Sequence, residues 1–234
     1  MRLNTTTPSP DAANSDRAGS GLWFSAGLAC LAIAAAASLW FVLHAAWADA
    51  SSLSARATVT GWREGTGPTI TAELWELTRD QLQGALRAAP DNAQLHDDLG
   101  YLYASRSQGL GNVPIDSPDY QLQLSLLDEA ISHYRAACAM RPTFPYTWTY
   151  LALSKHYRGK HDDEFLAAYD HAVQYGHSEA ALHIPLAELA YSQWARLGHQ
   201  RQQAFFNMVA SAKESSSVMF RVMAQRSGVQ LPAP

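Results

Sequence analysis

The sequence predicts an all-α protein, a helical-hairpin solenoid preceded by one transmembrane helix. Three observations favour this fold class. Apolar residues recur at three- and four-residue steps, as in the amphipathic stretch "LLDEAISHYRAACAMRP" over 126–142. An Ala followed five residues later by a Pro recurs along the chain, and a long stretch near its start carries no charge. No run of alternating β-branched residues indicates a strand.

Length and composition limit the classes of function. The chain has 234 residues, and about 185 of them follow the apolar stretch, enough for one domain with its own core. The formal net charge of −4 provides no basic stripe, so nucleic acid is excluded as a partner. Of the two cysteines, Cys30 lies in the apolar stretch. The folded domain therefore has only Cys138 and cannot form an internal disulfide.

Residues 21–47 are predicted to form a transmembrane anchor. No Lys, Arg, Asp or Glu occurs over 18–48, and about 20 apolar residues are enough to cross a bilayer. Trp23, Trp40 and Trp47 lie near the ends of this segment, where interfacial aromatic residues are expected.

A cleaved signal peptide is the alternative, because "AWADA" offers a small-residue cleavage site. The apolar stretch is longer than an ordinary signal h-region, which favours a retained anchor. Arg17 flanks its near end, whereas Arg56 and Arg63 lie farther from its other end. This charge pattern favours a cytoplasmic N-terminus and an exported domain.

Two polar segments flank the anchor. Residues 1–20 are rich in Thr, Pro, Ser and Asp, which predicts a disordered tail. Residues 48–71 hold Ser, Thr, Gly and Pro with little apolar content, and they are expected to form a tether between the membrane and the domain.

A repeat organises the rest of the chain. Ala85 and Pro90 have the same spacing as Ala137 and Pro142, and Ala172 continues the series without its proline. A period of about 34 residues explains these positions if about 18 residues are inserted after the first unit. The insertion is placed at 105–122, and the stretch "RSQGLGNVPIDSPDYQ" at 106–121 makes up most of it.

The motif residues resemble those of the tetratricopeptide repeat. Leu99, Gly100 and Tyr103 match a first repeat helix, and small residues at helix crossings are what the repeat requires. Further matches are Ala130, Tyr134, Ala137 and Pro142, then Trp148, Leu151 and Ala152, and finally Phe165, Tyr169 and Ala172. The resemblance implies a tetratricopeptide-like helical domain over 72–230. Its last part, after 177, is a divergent helix pair and a short closing helix, in which Pro185 either kinks or begins a helix.

A wider resemblance covers 72–227 and the N-terminal span. The chain is similar to the VpsP-like proteins found with bacterial exopolysaccharide biosynthesis genes. The residues that carry the similarity are Arg141, Pro142, Pro145, Trp148, Lys155, Phe165 and Trp194. The resemblance implies a membrane-tethered accessory role in making or exporting a surface polysaccharide, and it transfers no catalytic residue. Together with the anchor, it leads us to expect a protein of the bacterial inner membrane with a periplasmic domain. His177-Ser178 departs from the expected turn.

No motif predicts catalysis or a cofactor. "RGK" over 158–160 lacks the glycine spacing of a phosphate loop. "HDD" occurs over 96–98 and 161–163, and acidic residues beside a histidine at a helix start are typical of a cap and a solvated face rather than a metal site. We therefore predict neither an enzyme nor a metal protein.

The inner repeat helices are expected to line a partner-binding groove. Tyrosine offers flat apolar area with a hydroxyl, which suits a peptide or a sugar ring. The groove residues implied by the repeat positions are Gln94, Asp97, Tyr101, Ser105, Tyr146, Thr149, His156, Tyr157, Glu188 and Tyr191. The alternative for each is packing between repeats.

Three functions remain open. The first is a membrane-anchored adaptor that recruits polysaccharide-assembly proteins of the envelope. The second is a module that binds the glycan itself. The third is a general envelope scaffold unrelated to polysaccharide.

Overall fold

The computed structural model describes residues 10–211 and 214–229, and this part of the chain is all-helical, as predicted, without a strand. Its helices are α1 (Pro10–Glu64), α2 (Ala72–Ala88), α3 (Ala93–Gly109), α4 (Pro118–Met140), α5 (Pro145–Tyr157), α6 (Asp163–Gly176), α7 (Ala180–Ser192), α8 (Trp194–Ser211) and α9 (Glu214–Arg226).

The chain divides into two compact units, one ending at Trp47 and the other beginning at Ala48. In the first unit, α1 is long and apolar enough to cross a membrane. Among the described side chains of this unit, over 26–47, the large apolar ones, such as Leu31 and Phe41, are more than half exposed. The expected disordered tail covers residues 1–9, which lie outside the described part, and 10–20, which are helical.

The expected tether over 48–71 is wrong for residues 48–64, which continue α1 and pack into the second unit. Ala55, Val59 and Trp62 are buried. They lie on one helical face with the buried Ser52, at steps of three and four residues. The sequence gives no clear amphipathic pattern for this face, because its side chains are mostly small or carry a hydroxyl and only Trp62 is large and apolar.

Side-chain caps set the starts of several helices. The hydroxyls of Thr71 and Ser117 accept backbone N–H bonds at the starts of α2 and α4. The side chains of Asn92 and Asp162 do the same for α3 and α6. The "HDD" at 161–163 therefore includes a helix cap, as the sequence indicated.

Helices α2 to α7 pack in sequence order. Each contacts the next, and α3, α5 and α7 also contact one another in turn, α3 with α5 and α5 with α7. Alternate helices therefore form one row, and the core of the unit lies between this row and helices α2, α4 and α6. Lys155 of α5 is almost fully buried and forms ion pairs with Asp162 and Glu164.

Gly100 sets the closest approach between α3 and α4. A Cβ at this position would lie 2.7 Å from the ring of Tyr134, which is fully buried. The glycine of the Leu-Gly-x-x-Tyr motif is therefore required because the Tyr134 ring leaves no space for a Cβ. On the same helix as Tyr134, Ala130 and Ala137 are also fully buried.

Cys138 lies beside this crossing on α4. Its side chain is 2% exposed. Burial raises the pKa of its thiol above the ordinary value, so the reactive thiolate is disfavoured.

The expected insertion over 105–122 is mostly helical. Helix α3 extends to Gly109 and α4 begins at Pro118, which leaves a connection of residues 110–117. The Gln123 side chain donates to the carbonyls of Ser107 and Gly111, at 3.1 and 3.0 Å, and ties the two extensions together. Ser-Pro at 117–118 is a helix start, with the hydroxyl as cap and the proline in the first turn.

The last helices pack around α7, which contacts α8 and α9. Pro185 lies inside α7, five residues after its start, so the alternative in which it begins the helix is wrong. Gly198 interrupts α8 with φ 69°, a left-handed conformation that glycine adopts without strain.

Gly100→Ala should destabilise the second unit although alanine is the better helix former. The added methyl must displace the buried Tyr134 ring, at a cost of about 1–3 kcal/mol. Gly84→Ala on α2 is the matched control, since its Cβ would meet only the Arg87 guanidinium at 3.7 Å, and it should gain up to about 1 kcal/mol. Chemical denaturation measures both free energies of unfolding. Equal effects of the two substitutions would contradict the close approach.

Candidate functional site

Two of the predicted groove residues on α3, Asp97 and Tyr101, contact the chain's own α1, and a third, Gln94, is joined to them through Asp98. Arg63 of α1 places its guanidinium 4.8 Å from the centre of the Tyr101 ring. The same guanidinium contacts Asp97, whose neighbour Asp98 bonds to the Gln94 amide. This part of the row is therefore occupied within the molecule.

Arg63 bridges two buried carboxylates. Its Nη2 lies 3.2 Å from Oδ2 of Asp97, and its Nη1 lies 2.9 Å from Oδ1 of Asp98. Asp97 and Asp98 are 4% and 2% exposed, so neither carboxylate can rely on water. Arg56, two turns earlier on α1, adds a longer contact of 3.8 Å to Asp98.

The cluster also connects α3 to α5 and to the end of α4. The Thr147 hydroxyl of α5 donates to Oδ1 of Asp97 at 2.8 Å. Arg141, which follows α4, donates to the side-chain oxygen of Gln94 at 3.2 Å. Every carboxylate oxygen of the Asp97–Asp98 pair thus has a polar partner, as buried charges require.

Burial and charge act in opposite directions on these groups. Burial disfavours the charge of Arg63, but the carboxylates of Asp97 and Asp98 outweigh it and raise the pKa of the guanidinium. Burial raises the pKa of Asp98, against the attraction of Arg63 and the bond from Gln94. The charges of Asp97 and Asp98 are therefore stabilised by their direct contacts with Arg63 and other side chains rather than by water.

Sequence reasoning missed Asp98, Arg63, Arg141 and Thr147. The signal available was "HDD" over 96–98, and the solvated-face interpretation of that stretch is wrong because both carboxylates are buried. Their cation lies in a segment that the sequence assigns to a tether.

The predicted residues on α5 and α7 form a second, more open group. The Tyr146 hydroxyl donates to Glu179 at 2.9 Å, and the Tyr157 hydroxyl donates to Glu188. His156 lies beside Tyr157 and is half-buried. These contacts join the first turns of α5 and α7 to each other, and likewise their last turns.

Three predicted groove residues point elsewhere. Thr149 is fully buried and donates to the Pro145 carbonyl. Tyr191 is 5% exposed and packs edge-on against Phe205 of α8. Ser105 is half-buried and donates to the Leu102 carbonyl. Thr149 and Tyr191 are therefore packing residues and not part of an accessible groove.

The two "HDD" histidines each meet a second histidine. His96 Nδ1 lies 3.0 Å from His133 Nδ1, and His156 Nδ1 lies 3.0 Å from His161 Nε2. His96 Nε2 faces the Pro90 carbonyl, so it must donate, and His96 Nδ1 then accepts from His133. Among the described side chains no three His, Cys, Asp or Glu residues form a group that could hold a metal ion.

Arg63→Met should lower the free energy of unfolding by about 3 kcal/mol, because it leaves two buried carboxylates without their cation. Arg201→Met is the matched control. Arg201 pairs with Asp170 at 2.7 Å, but both side chains are substantially exposed, and the loss should stay below about 1 kcal/mol. Adding Asp98→Asn to Arg63→Met should restore part of the stability. If Arg63→Met proved as mild as the control, the cluster would not stabilise the fold.

Acid should destabilise the fold through His133. Burial, and secondarily the charge of His96, lowers the pKa of His133 from 6.5 to about 4. The unfolded chain therefore takes up this proton more readily, and the stabilisation present above pH 6.5 is lost as pH falls towards 4. His133→Phe should make the free energy of unfolding less dependent on pH over this range, as measured by chemical denaturation at a series of pH values. An unaltered slope in His133→Phe would exclude this titration as the cause.

Comparison with models of known protein families and with curated proteins finds no match for the chain. The resemblances drawn from its motifs therefore stay predictions.

Proposed function

We propose that this chain is a membrane-anchored helical-repeat adaptor that assists assembly or export of a bacterial exopolysaccharide through protein–protein interactions. One observation carries the proposal. The first helix of the row of α3, α5 and α7 already has an α1 side chain on it, because Arg63 contacts Asp97, Asp98 and Tyr101 of α3. The α5–α7 part of the same row remains open and bears tyrosine and glutamate side chains.

The proposed architecture is a tetratricopeptide-like solenoid over 72–230. Two features support it: sequential packing with alternate helices in one row, and a glycine at the α3–α4 crossing whose Cβ would strike Tyr134. Such repeats serve as binding surfaces, which agrees with an adaptor role without a catalytic step.

The proposed location is the bacterial inner membrane. Residues 21–47 would span the bilayer once, with the N-terminus in the cytoplasm and the helical domain in the periplasm. The length and apolar composition of α1 support the span, and the position of Arg17 supports the orientation.

Capture of the tagged full-length protein from solubilised bacterial membranes tests this function. We expect polysaccharide-assembly proteins to be recovered, deletion of the gene to lower surface polysaccharide, and the intact mass of the recovered chain to include 21–47. A Glu129→Gln variant, which removes one exposed carboxylate on α4 away from the α5–α7 side of the row, should recover the same proteins as the unmodified chain.

Other results would replace the proposal. Binding of purified polysaccharide without protein partners would indicate a glycan-binding module. Envelope partners recovered with no change in polysaccharide after deletion would indicate a general scaffold. A mature chain that starts at Asp49 would exclude the anchor.

A further inference from the structure

The open part of the row is a groove between α5 and α7, two helices that contact each other. We name it the α5–α7 groove. Its residues are Tyr146, Leu153 and Tyr157 on the α5 side and Glu179, Ile184 and Glu188 on the α7 side.

The groove has a carboxylate near each end. Tyr146 joins Glu179 at the start of both helices, and Tyr157 joins Glu188 near the end of both. Burial, then the bonded carboxylate, raises the pKa of both phenols, so they stay protonated and donate. Among side chains 26–47, 49–210 and 218–229, neither Glu179 nor Glu188 has an ion pair.

An apolar strip separates the two carboxylates. Ile184 is 38% exposed and Tyr157 is 42% exposed, while Leu153 packs partly against the core. Eleven residues of α5 separate the two tyrosines, which at 1.5 Å per residue is about 16 Å. In a helix laid along the groove, side chains three turns apart cover the same distance and lie on one face.

The contact between α1 and α3 shows one kind of segment that fits this row of helices. On α3, the occupant is a helix that carries Arg56 and Arg63 two turns apart, with the small apolar face of Ala55 and Val59 buried. Its cations meet acidic side chains of the row at Asp97 and Asp98. The α5–α7 groove also bears acidic and aromatic side chains, although its carboxylates are farther apart and less buried, and no cation pairs with them among the described side chains.

We propose that the α5–α7 groove binds a basic amphipathic helix of a partner protein, with cationic side chains three turns apart that pair with Glu179 and Glu188. Apolar side chains between the cations cover Leu153 and Ile184. The proposal rests on the adaptor function and specifies the partner's chemistry: a helix with an apolar stripe flanked by Arg or Lys.

A synthetic helical peptide tests this with the full-length protein in lipid nanodiscs. The probe is an 18-residue fluorescein-labelled helix with Leu along one face and Arg at positions 4 and 15, a length of about 27 Å. Fluorescence anisotropy measures Kd at low and high salt. We expect Glu179→Gln with Glu188→Gln to weaken binding at least tenfold and to reduce its salt dependence, and Glu129→Gln to leave both unchanged.

Peptide controls separate charge from apolar adhesion. A peptide with Glu in place of both Arg residues should not bind, and one with its two Arg residues four positions apart should bind at least tenfold more weakly than the probe. Failure of the probe to bind, or equal affinity for wild-type protein and the double Gln variant, would overturn the proposal. Equal binding of the Glu peptide and the probe would also overturn the proposal.

Capture from membranes distinguishes this proposal from the adaptor function on which it rests. If wild-type protein recovers assembly proteins and the double Gln variant recovers them equally, the adaptor function stands and the groove assignment is wrong. If the probe binds as expected but no assembly protein is recovered from membranes, the groove assignment stands and the polysaccharide role is wrong.

Discussion

The fold of the second unit depends on one guanidinium. Arg63 forms the short ion pairs to Asp97 and Asp98, which otherwise have only the longer contacts of Arg56 and Arg141, at 3.8 and 4.0 Å. A buried charge that loses its partner costs far more than a surface ion pair contributes. Asp97 can then also accept from Thr147 of α5. The position of residues 48–64, the orientation of α3 and the contact between α3 and α5 are therefore parts of one arrangement.

This dependence explains why the row has two different halves. On α3 the acidic residues are satisfied within the chain, and the surface is closed by α1. On the α5–α7 side, the described side chains that bond to Glu179 and Glu188 are tyrosine hydroxyls, which leave the carboxylate charge in place. One half of the row is thus closed by contacts within the chain, and the other is more exposed.

The helices after residue 72 could be predicted because their apolar faces consist of large side chains and their ends carry recognisable signals, such as Ser-Pro at 117–118. The structure confirms the predicted all-helical class for the described residues. Residues 48–64 could not be predicted, since a face built from Ser52, Ala55 and Val59 has almost no hydropathy contrast. Its stability comes from a tertiary ion pair that local patterns do not encode.

The candidate site likewise depends on tertiary contacts that local sequence patterns do not predict. Repeat positions identified Tyr146, Tyr157 and Glu188, because side chains on a helix face recur with a fixed period. They could not reveal that Tyr191 turns towards Phe205, or that α3 already holds an occupant. Which residues of a repeat surface remain accessible depends on what the flanking segments cover, and only the packed chain contains that information.

The burial of Cys138 determines how this domain responds to oxidants. Its thiol is enclosed beside the α3–α4 crossing and held in the protonated form, so peroxide or a disulfide donor reaches it only after α4 separates from its neighbours. In an oxidising compartment, chemical damage at this residue therefore falls on chains that have already opened. Molecules in which α4 stays packed are spared this oxidation.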